Sequence, residues 1–457
     1  MPVGASNAVC NLLPSSPANP YLKTLQIPIF VYVVGMETEQ EAGIAYLPRA
    51  VDVTVAETLK SVGAVVLEGP RGCGKTMTGL HHAGSYVLLD TPEAQAAADV
   101  DPRMLLEGEA PRLLDEWQTV PQVWNLARRA VDFSNQPGRF ILTGSAVPTA
   151  DSIRHTGASR FVRIRQRTMT WAEKTGELTS PGVRLCDLFA GSDLTSSMHA
   201  SSLADVVDNL LIPGFPALRN ATAAVRTRAL TGYLRDTATT DLGRLAMLRS
   251  EPVLVEQMLA ALARSTATDV SQATLRRDIA RVLPAPSEAT VAKLLELLQR
   301  VFVVEAVPPW TTALRSKARL RRSSAYHLAD PALAAAALGA GAARLKRDLE
   351  TLGFLFESAV VHDLLVYAEA AGGRVYRYRD SNGHEIDAVI TMPDGAWAAV
   401  EVKLGGGQVS AGAARLVQAV AQLDAPPPAF RAVITGTGFT ATLPDGTLTF
   451  PLDALRP

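Results

Sequence analysis

Cysteine is scarce in this chain. Cys10, Cys73 and Cys186 are the only three in 457 residues, an odd number with no metal-ligand spacing. That argues against a disulfide framework and points to a reducing compartment, with the cytoplasm as the default. Charge is also sparse and nearly balanced, at 19% Asp, Glu, Lys and Arg with a net charge of −1. No global field draws the molecule to nucleic acid or membrane, so any basic surface must be local. Long apolar runs are missing as well. The longest, IPIFVYVVGM at 27–36, is too short to cross a bilayer, and its flanks lack the charged start and small-residue cleavage site of a signal peptide. No membrane partner is expected.

What the chain does have is length. At 457 residues it predicts about three domains, each able to bury a core of ordinary size. Residues 1–45 read as a poorly structured tail, rich in Pro, Ser and Asn up to residue 35, and Met36 is an expected alternative start. The boundaries then predicted are 46–195, 196–345 and 346–457.

From Ala64 onward strand-like and helix-like segments alternate: AVVLEG, a helix from Lys75, SYVLLD, a helix near 93–106, PRLLDE, a helix near 121–133, then RFILTGS. That rhythm predicts a parallel α/β sheet with helices on both faces. The first strand runs into GPRGCGKT, comprising Gly69, Pro70, Arg71, Gly72, Cys73, Gly74, Lys75 and Thr76, which matches the phosphate-loop (Walker A) pattern G-x-x-x-x-G-K-[ST]. Its glycines let the backbone curl so that successive N–H groups face phosphate oxygens at a helix N-terminus. Lys75 is then expected at the β and γ phosphates of ATP, and Thr76 at a Mg²⁺ ion. Asp115 and Glu116, ending an apolar strand, fit the Mg²⁺ shell and the base that orients water. Thr143 or Ser145 of LTGS is placed to sense the γ-phosphate. Arg160, ahead of FVRIR, is the candidate transition-state cation, supplied within the chain or between subunits; solvated arginines on an edge strand are the plainer reading. His81, His82 and Cys73 read as packing or surface residues.

The middle of the chain is helical by period. Ser287 is the expected N-cap of a helix whose Val291, Leu294, Leu295 and Leu298 share a face, and VFVVEAV then reads as a strand. Helix, turn, helix and strands is the order of a winged helix. In LRSKARLRR, Arg315, Lys317, Arg319 and Arg321 recur every second residue, so in a strand all four share one face. DNA backbone contact is one use of that stripe; a solvated edge strand or a protein-docking surface is the other.

Near the C-terminus, GHEIDAVITMPDGAWAAVEVK predicts a hairpin turning at Pro393-Asp394-Gly395 with Met392 opposite Ala396. Asp387 then faces Glu401, Glu385 faces Lys403, and Ile386, Ala388 and Ile390 share an apolar face with Ala398, Val400 and Val402. Two acids across a strand pair repel, which a divalent cation or a cross-strand salt bridge would relieve.

The segments YLPRAVD, EGPRGCGKT, LLDEWQTVPQVWN, RFILTGSA, FESAVVHDLLVY and EIDAVI…VEVK together resemble the prokaryotic AAA-type ATP-binding proteins that join a P-loop domain to a C-terminal domain of unknown function. The resemblance runs from about Tyr46 to the end. It implies an ATPase, a winged helix and a nuclease-like fold in series, possible homo-oligomers, and no particular substrate. Asp387 followed after thirteen residues by Glu401-Val402-Lys403 is similar to the PD-(D/E)XK nucleases. That likeness implies Glu357 as a third carboxylate, a second Mg²⁺ or Mn²⁺ at Glu357, Asp387 and Glu401, and Lys403 as a catalytic lysine. Two readings follow. One is a Mg²⁺-dependent ATPase coupling nucleotide state to domains acting on DNA; the other is a slow or non-hydrolysing regulator or scaffold with a degenerate nuclease domain that docks proteins.

Overall fold

The structure, a computed structural model, describes residues 46–134, 136–145, 159–242, 252–311 and 323–457. The expected tail with its alternative start, and the stripe Arg315, Lys317, Arg319 and Arg321, lie outside them. Contacts divide the chain into a unit ending at Gln166 and a second beginning at Arg167.

In the first unit, α1 (Val51–Leu59) precedes β1 (Ala64–Glu68), α2 (Lys75–His82), β2 (Ser85–Leu88), α3 (Pro92–Val100), β3 (Arg112–Asp115), α4 (Gln122–Ser134), β4 (Phe140–Gly144) and β5 (Phe161–Arg165). The strands pair in the order β2-β3-β4-β1-β5, all parallel. Their side chains alternate between two cores, as a sheet buried on both faces requires. Val65, Leu67, Leu113 and Ile141 pack with Val55 of α1 on one side. Val66, Leu114 and Leu142 pack with Val123, Trp124, Ala127 and Val131 of α4 on the other. The register aligns Glu68 with both Gly144 and Arg165, and Leu88 with Asp115, so the carboxyl ends share one edge. In open parallel sheets that edge carries the ligand site.

Residues 167–175, expected within the domain 46–195, group by their contacts with the second unit. Thr170 and Glu173 form a capping box for α5 (Trp171–Thr175). The Trp171 N–H donates to Asp363 Oδ2 at 2.9 Å, and the Arg167 guanidinium lies against Glu305 and Glu369.

The second unit continues with α6 (Leu203–Leu210), α7 (Ala223–Asp236), α8 (Pro252–Arg264), α9 (Gln272–Ile279), α10 (Glu288–Arg300) and the antiparallel pair β6 (Val304–Val307) and β7 (Ala325–Leu328). Ser287 caps α10 as expected, accepting from the Thr290 N–H at 3.0 Å, and Val291, Leu294, Leu295 and Leu298 are buried. After α11 (Pro331–Ala337) comes α12 (Leu349–Ala370), then β8 (Arg374–Arg379), β9 (Glu385–Thr391), β10 (Trp397–Lys403), α13 (Val409–Ala421), β11 (Phe430–Thr435), β12 (Phe439–Thr442) and β13 (Leu448–Pro451). These strands pair in the order β8-β9-β10-β11-β13-β12, antiparallel across the first three and parallel through β10, β11 and β13. Helix α12 is long and apolar enough to cross a bilayer by length and composition, but most of it is buried inside the unit.

His327 of β7 pairs with Glu305 of β6 and is buried, its Nδ1 3.0 Å from Ser358 Oγ. Burial first, then the nearby Arg377 charge, holds its imidazole down at about 4, against the pull of Glu305. An unfolded histidine takes its proton near 6.5, so below that pH the unfolded chain binds a proton that the folded one refuses. The stability this neutral histidine contributes is intact above pH 6.5 and lost as pH falls toward 4, at about 3 kcal/mol in all. We therefore expect His327→Gln to flatten the fall in second-unit stability between pH 7 and pH 4.5, measured by denaturant unfolding. An unchanged slope would remove His327 from the account.

Candidate functional site

The phosphate loop lies at the carboxyl edge of the first sheet, between β1 and α2. Gly74, at φ 102°, holds the left-handed turn that starts α2. Gly69 passes so close to β5 that an added Cβ would lie 2.0 Å from the Gln166 carbonyl oxygen. Lys75 is buried and donates to the carbonyls of Gly69 and Pro70 at 3.0 and 2.9 Å, so its ammonium sits inside the loop.

Thr76 is the second residue of α2, and its hydroxyl lies beside Asp115 at the end of β3. Asp115 also accepts from Thr143 Oγ1 at 2.5 Å. Burial pushes the Asp115 carboxyl up, and these two hydroxyls pull it part of the way back. A hydroxyl and a carboxylate side by side beneath a phosphate loop fit the oxygen-ligand demands of Mg²⁺. Glu116 follows at φ 51° and ψ 48°, a left-handed conformation that costs a non-glycine residue strain. Its carboxylate accepts from Gln118 Nε2 and, at 3.4 Å, from Ser145 Oγ.

Two of the expected site residues have these partners. Thr143, expected with Ser145 as the alternative to meet a γ-phosphate, gives its hydrogen to Asp115 and accepts from the Glu116 N–H at 3.0 Å, bracing the acid pair from the neighbouring strand. Arg160 precedes β5, and its carbonyl accepts from Ala64 at the start of β1, so it stands at the amino edge of the sheet. There its Nε lies 2.7 Å from Asp132 of α4, out of reach of its own phosphate loop. Of the FVRIR arginines, Arg165 is the one level with the loop, opposite Glu68.

The loop also has supports that motif reading did not assign. Arg49 donates to the Cys73 carbonyl at 2.8 Å, and the Gln166 amide donates to Thr78 Oγ1 at 3.0 Å. Tyr46 donates to Asp52 at 2.6 Å, lies 3.1 Å from Thr78 Oγ1, and stacks on His81 at 4.0 Å between ring centroids. His82 lies 3.2 Å from Asp52. Burial pushes Asp52 up, but hydrogen bonds from His82 and Tyr46 outweigh it and leave the carboxyl below its ordinary range. YLPRAVD is thus a polar brace for the loop. Cys73 is buried within it as a free thiol.

In the second unit the hairpin has the predicted register: Ala388 pairs with Val400, Ile390 with Ala398, and the Met392 N–H bonds the Ala396 carbonyl. Continued by one residue, this register sets Asp387 across from Glu401. Glu357 joins them from α12. Burial, then the Asp387 charge, drives Glu357 well above the carboxylate range, opposed by Arg377. Burial, then Asp387, raises Glu401 to about 7. The expected Glu385–Lys403 contact is not made. Glu385 lies 3.2 Å from both Arg377 and Arg379, and Lys403 Nζ donates to Glu401 Oε1 at 2.6 Å. Nor do the three acids fit the expected second Mg²⁺ or Mn²⁺: among the described residues no three His, Cys, Asp or Glu groups are placed to hold a metal ion.

A family profile described as an AAA domain matches residues 61–175. Two domains of unknown function follow, DUF8612 at 203–344 and DUF4143 at 352–455. Uncharacterized proteins of Mycobacterium tuberculosis (Rv2008c) and Mycobacterium bovis (Mb2031c) are each 26% identical over 335 residues, covering 72% of this chain and 67% of theirs. Among solved structures, a Walker-type ATPase of Pyrococcus abyssi is 14% identical with a TM-score of 0.36, covering 67% of this chain and 99% of its own. The Orc1 protein of Aeropyrum pernix, solved in complex with DNA, is 14% identical with a TM-score of 0.23, covering 64% of this chain and 92% of its own. The profile match and the loop geometry agree: the first unit holds an AAA-type P-loop nucleotide-binding domain.

Proposed function

We propose that the first unit hydrolyses Mg²⁺-bound ATP and that the nucleotide state governs what the second unit does. The observation that carries this is the contact of Thr76 with Asp115 beside a loop that already encloses Lys75. In this reading the loop N–H groups and Lys75 bind the β and γ phosphates, Lys75 exchanging its two carbonyl partners for phosphate oxygens. Thr76 and Asp115 would hold Mg²⁺, which supplies positive charge to the transferring phosphoryl group. Glu116, fixed by Gln118, orients the attacking water and takes its proton. Arg160, remote within its own chain, would serve only from a second copy in a homo-oligomer.

For the second unit we read α8, α9, α10, β6 and β7 as a winged helix. We read α12, the β8-β9-β10 meander, α13 and β11 as a PD-(D/E)XK nuclease-like core, on the order of elements and the positions of Glu357, Asp387, Glu401 and Lys403. DNA is the partner this combination favours, through phosphate contacts from Arg315, Lys317, Arg319 and Arg321. We expect duplex DNA affinity to fall steeply with salt, and replacement of all four by Ala to reduce the log–log slope by up to about 3.6. Filter binding from 50 to 200 mM salt checks this; an unchanged slope removes DNA contact by the stripe. The reading as a protein-docking scaffold is favoured by one observation, the arginine lodged among the nuclease-like carboxylates.

A further inference from the structure

The acids of the second unit meet a cation that belongs to the chain itself. Tyr376 of β8 pairs with Val389 of β9, but Tyr378 pairs with Ile386, so Asp387 and Ala388 together stand opposite Arg377. A bulge of this kind bends the strand and re-aims a side chain. Arg377 is buried, with Nη1 3.7 Å from Glu357 Oε1, Nη2 3.2 Å from Glu385 Oε2 and Nε 3.8 Å from Asp269 Oδ1. It also donates through Nη1 to the Ala267 carbonyl. On the far side of the cluster Lys403 holds Glu401 at 2.6 Å, and Asp387 Oδ2 accepts the Val402 N–H at 2.8 Å.

A divalent ion needs several oxygens directed at one point, about 2.0 to 2.6 Å from it. Here the carboxylates are directed at nitrogen donors, and two fixed positive side chains would repel an incoming ion. Arg377 also reaches both the chain after α8, at Ala267 and Asp269, and the acids of β9 and α12. It therefore ties helices to sheet within the second unit.

We propose that the Glu357–Asp387–Glu401 cluster is a metal-free site neutralised from within: Arg377 beside Glu357 and Lys403 on Glu401 supply the positive charge that a divalent cation would, and the sheet keeps a nuclease-like shape without cutting. The word nuclease-like rests on the fold reading above; the charge lock rests on the distances alone.

The test uses the full chain without nucleotide, so a failure of ATP hydrolysis leaves its outcomes untouched. Mn²⁺ is titrated into wild type and Asp387→Asn, with the free ion followed by electron paramagnetic resonance, and plasmid cleavage is assayed in the same Mn²⁺. We expect identical binding curves and uncut DNA. A site tighter than about 1 mM, or a nicking activity, that Asp387→Asn abolishes would overturn the proposal. In parallel, Arg377→Met is expected to lower the thermal midpoint by roughly 5 to 10 °C, and Arg377→Met with Glu357→Gln to recover at least half of that loss. A double variant no more stable than Arg377→Met would also overturn it.

Discussion

Replacing Lys75 by alanine is expected to reduce ATP hydrolysis by at least about 10³-fold and to weaken ATP binding with it. The side chain is buried at the centre of the loop and already bonds two loop carbonyls, at 3.0 and 2.9 Å. Its loss removes the ammonium that the loop encloses, the charge proposed to meet the β and γ phosphates. Thr76→Ala should spare more binding, because it removes only the hydroxyl beside Asp115. Phosphate release at saturating Mg²⁺ and ATP, with affinity from a fluorescent nucleotide, separates the two variants. Equal activity in Lys75→Ala and wild type would mean that hydrolysis occurs elsewhere.

The second large effect concerns stability. Arg167→Met should destabilise the second unit by about 3–5 kcal/mol, the usual result of removing one partner from a buried charge pair. The Arg167 side chain is 4% exposed and spans Glu305, itself 10% exposed, at 2.7 Å, and Glu369 at 2.6 Å. Burial alone would lower the guanidinium, but Glu305 and then Glu369 raise it overall. Glu369, at 45% exposure, recovers water when the arginine is gone, so the cost falls mainly on Glu305. Arg167→Met with Glu305→Gln should therefore regain most of the loss, whereas Arg167→Lys should regain little, since an ammonium cannot serve two carboxylates in a fork. Hydrogen exchange on β6 and α12 reads the second unit separately from the first. A loss under 1 kcal/mol in Arg167→Met would show that this pair merely breaks even with its desolvation.

How far the sequence was legible depends on how local each cause is. The phosphate loop and the hairpin register were readable because both are set within a few residues: glycine spacing in one, and a Pro-Asp-Gly turn with strict alternation in the other. The place of Arg160 at the amino edge of the sheet was readable too, since Arg160 precedes its strand. The start of the helix at Trp171 was also readable in principle, from the Thr170–Glu173 capping box. Arg49 and Thr143 were not. Each acts on a partner brought close by the fold, Cys73 in one case and Asp115 and Glu116 in the other. Arg377 was the least legible. RVYRYRD gives no sign of which arginine turns inward, and the answer depends on a bulge in the adjacent strand and a carbonyl at Ala267.

The central claim is that the first unit is a hydrolase in which Glu116 prepares the water. Its most direct test is steady-state phosphate release by wild type and Glu116→Gln side by side, with ATP affinity measured for both, with and without DNA. The account predicts Mg²⁺-dependent turnover in wild type, and in Glu116→Gln a turnover about 10²-fold lower or less with ATP binding retained. Undetectable release by wild type in every condition, or equal release by the two proteins, would contradict it.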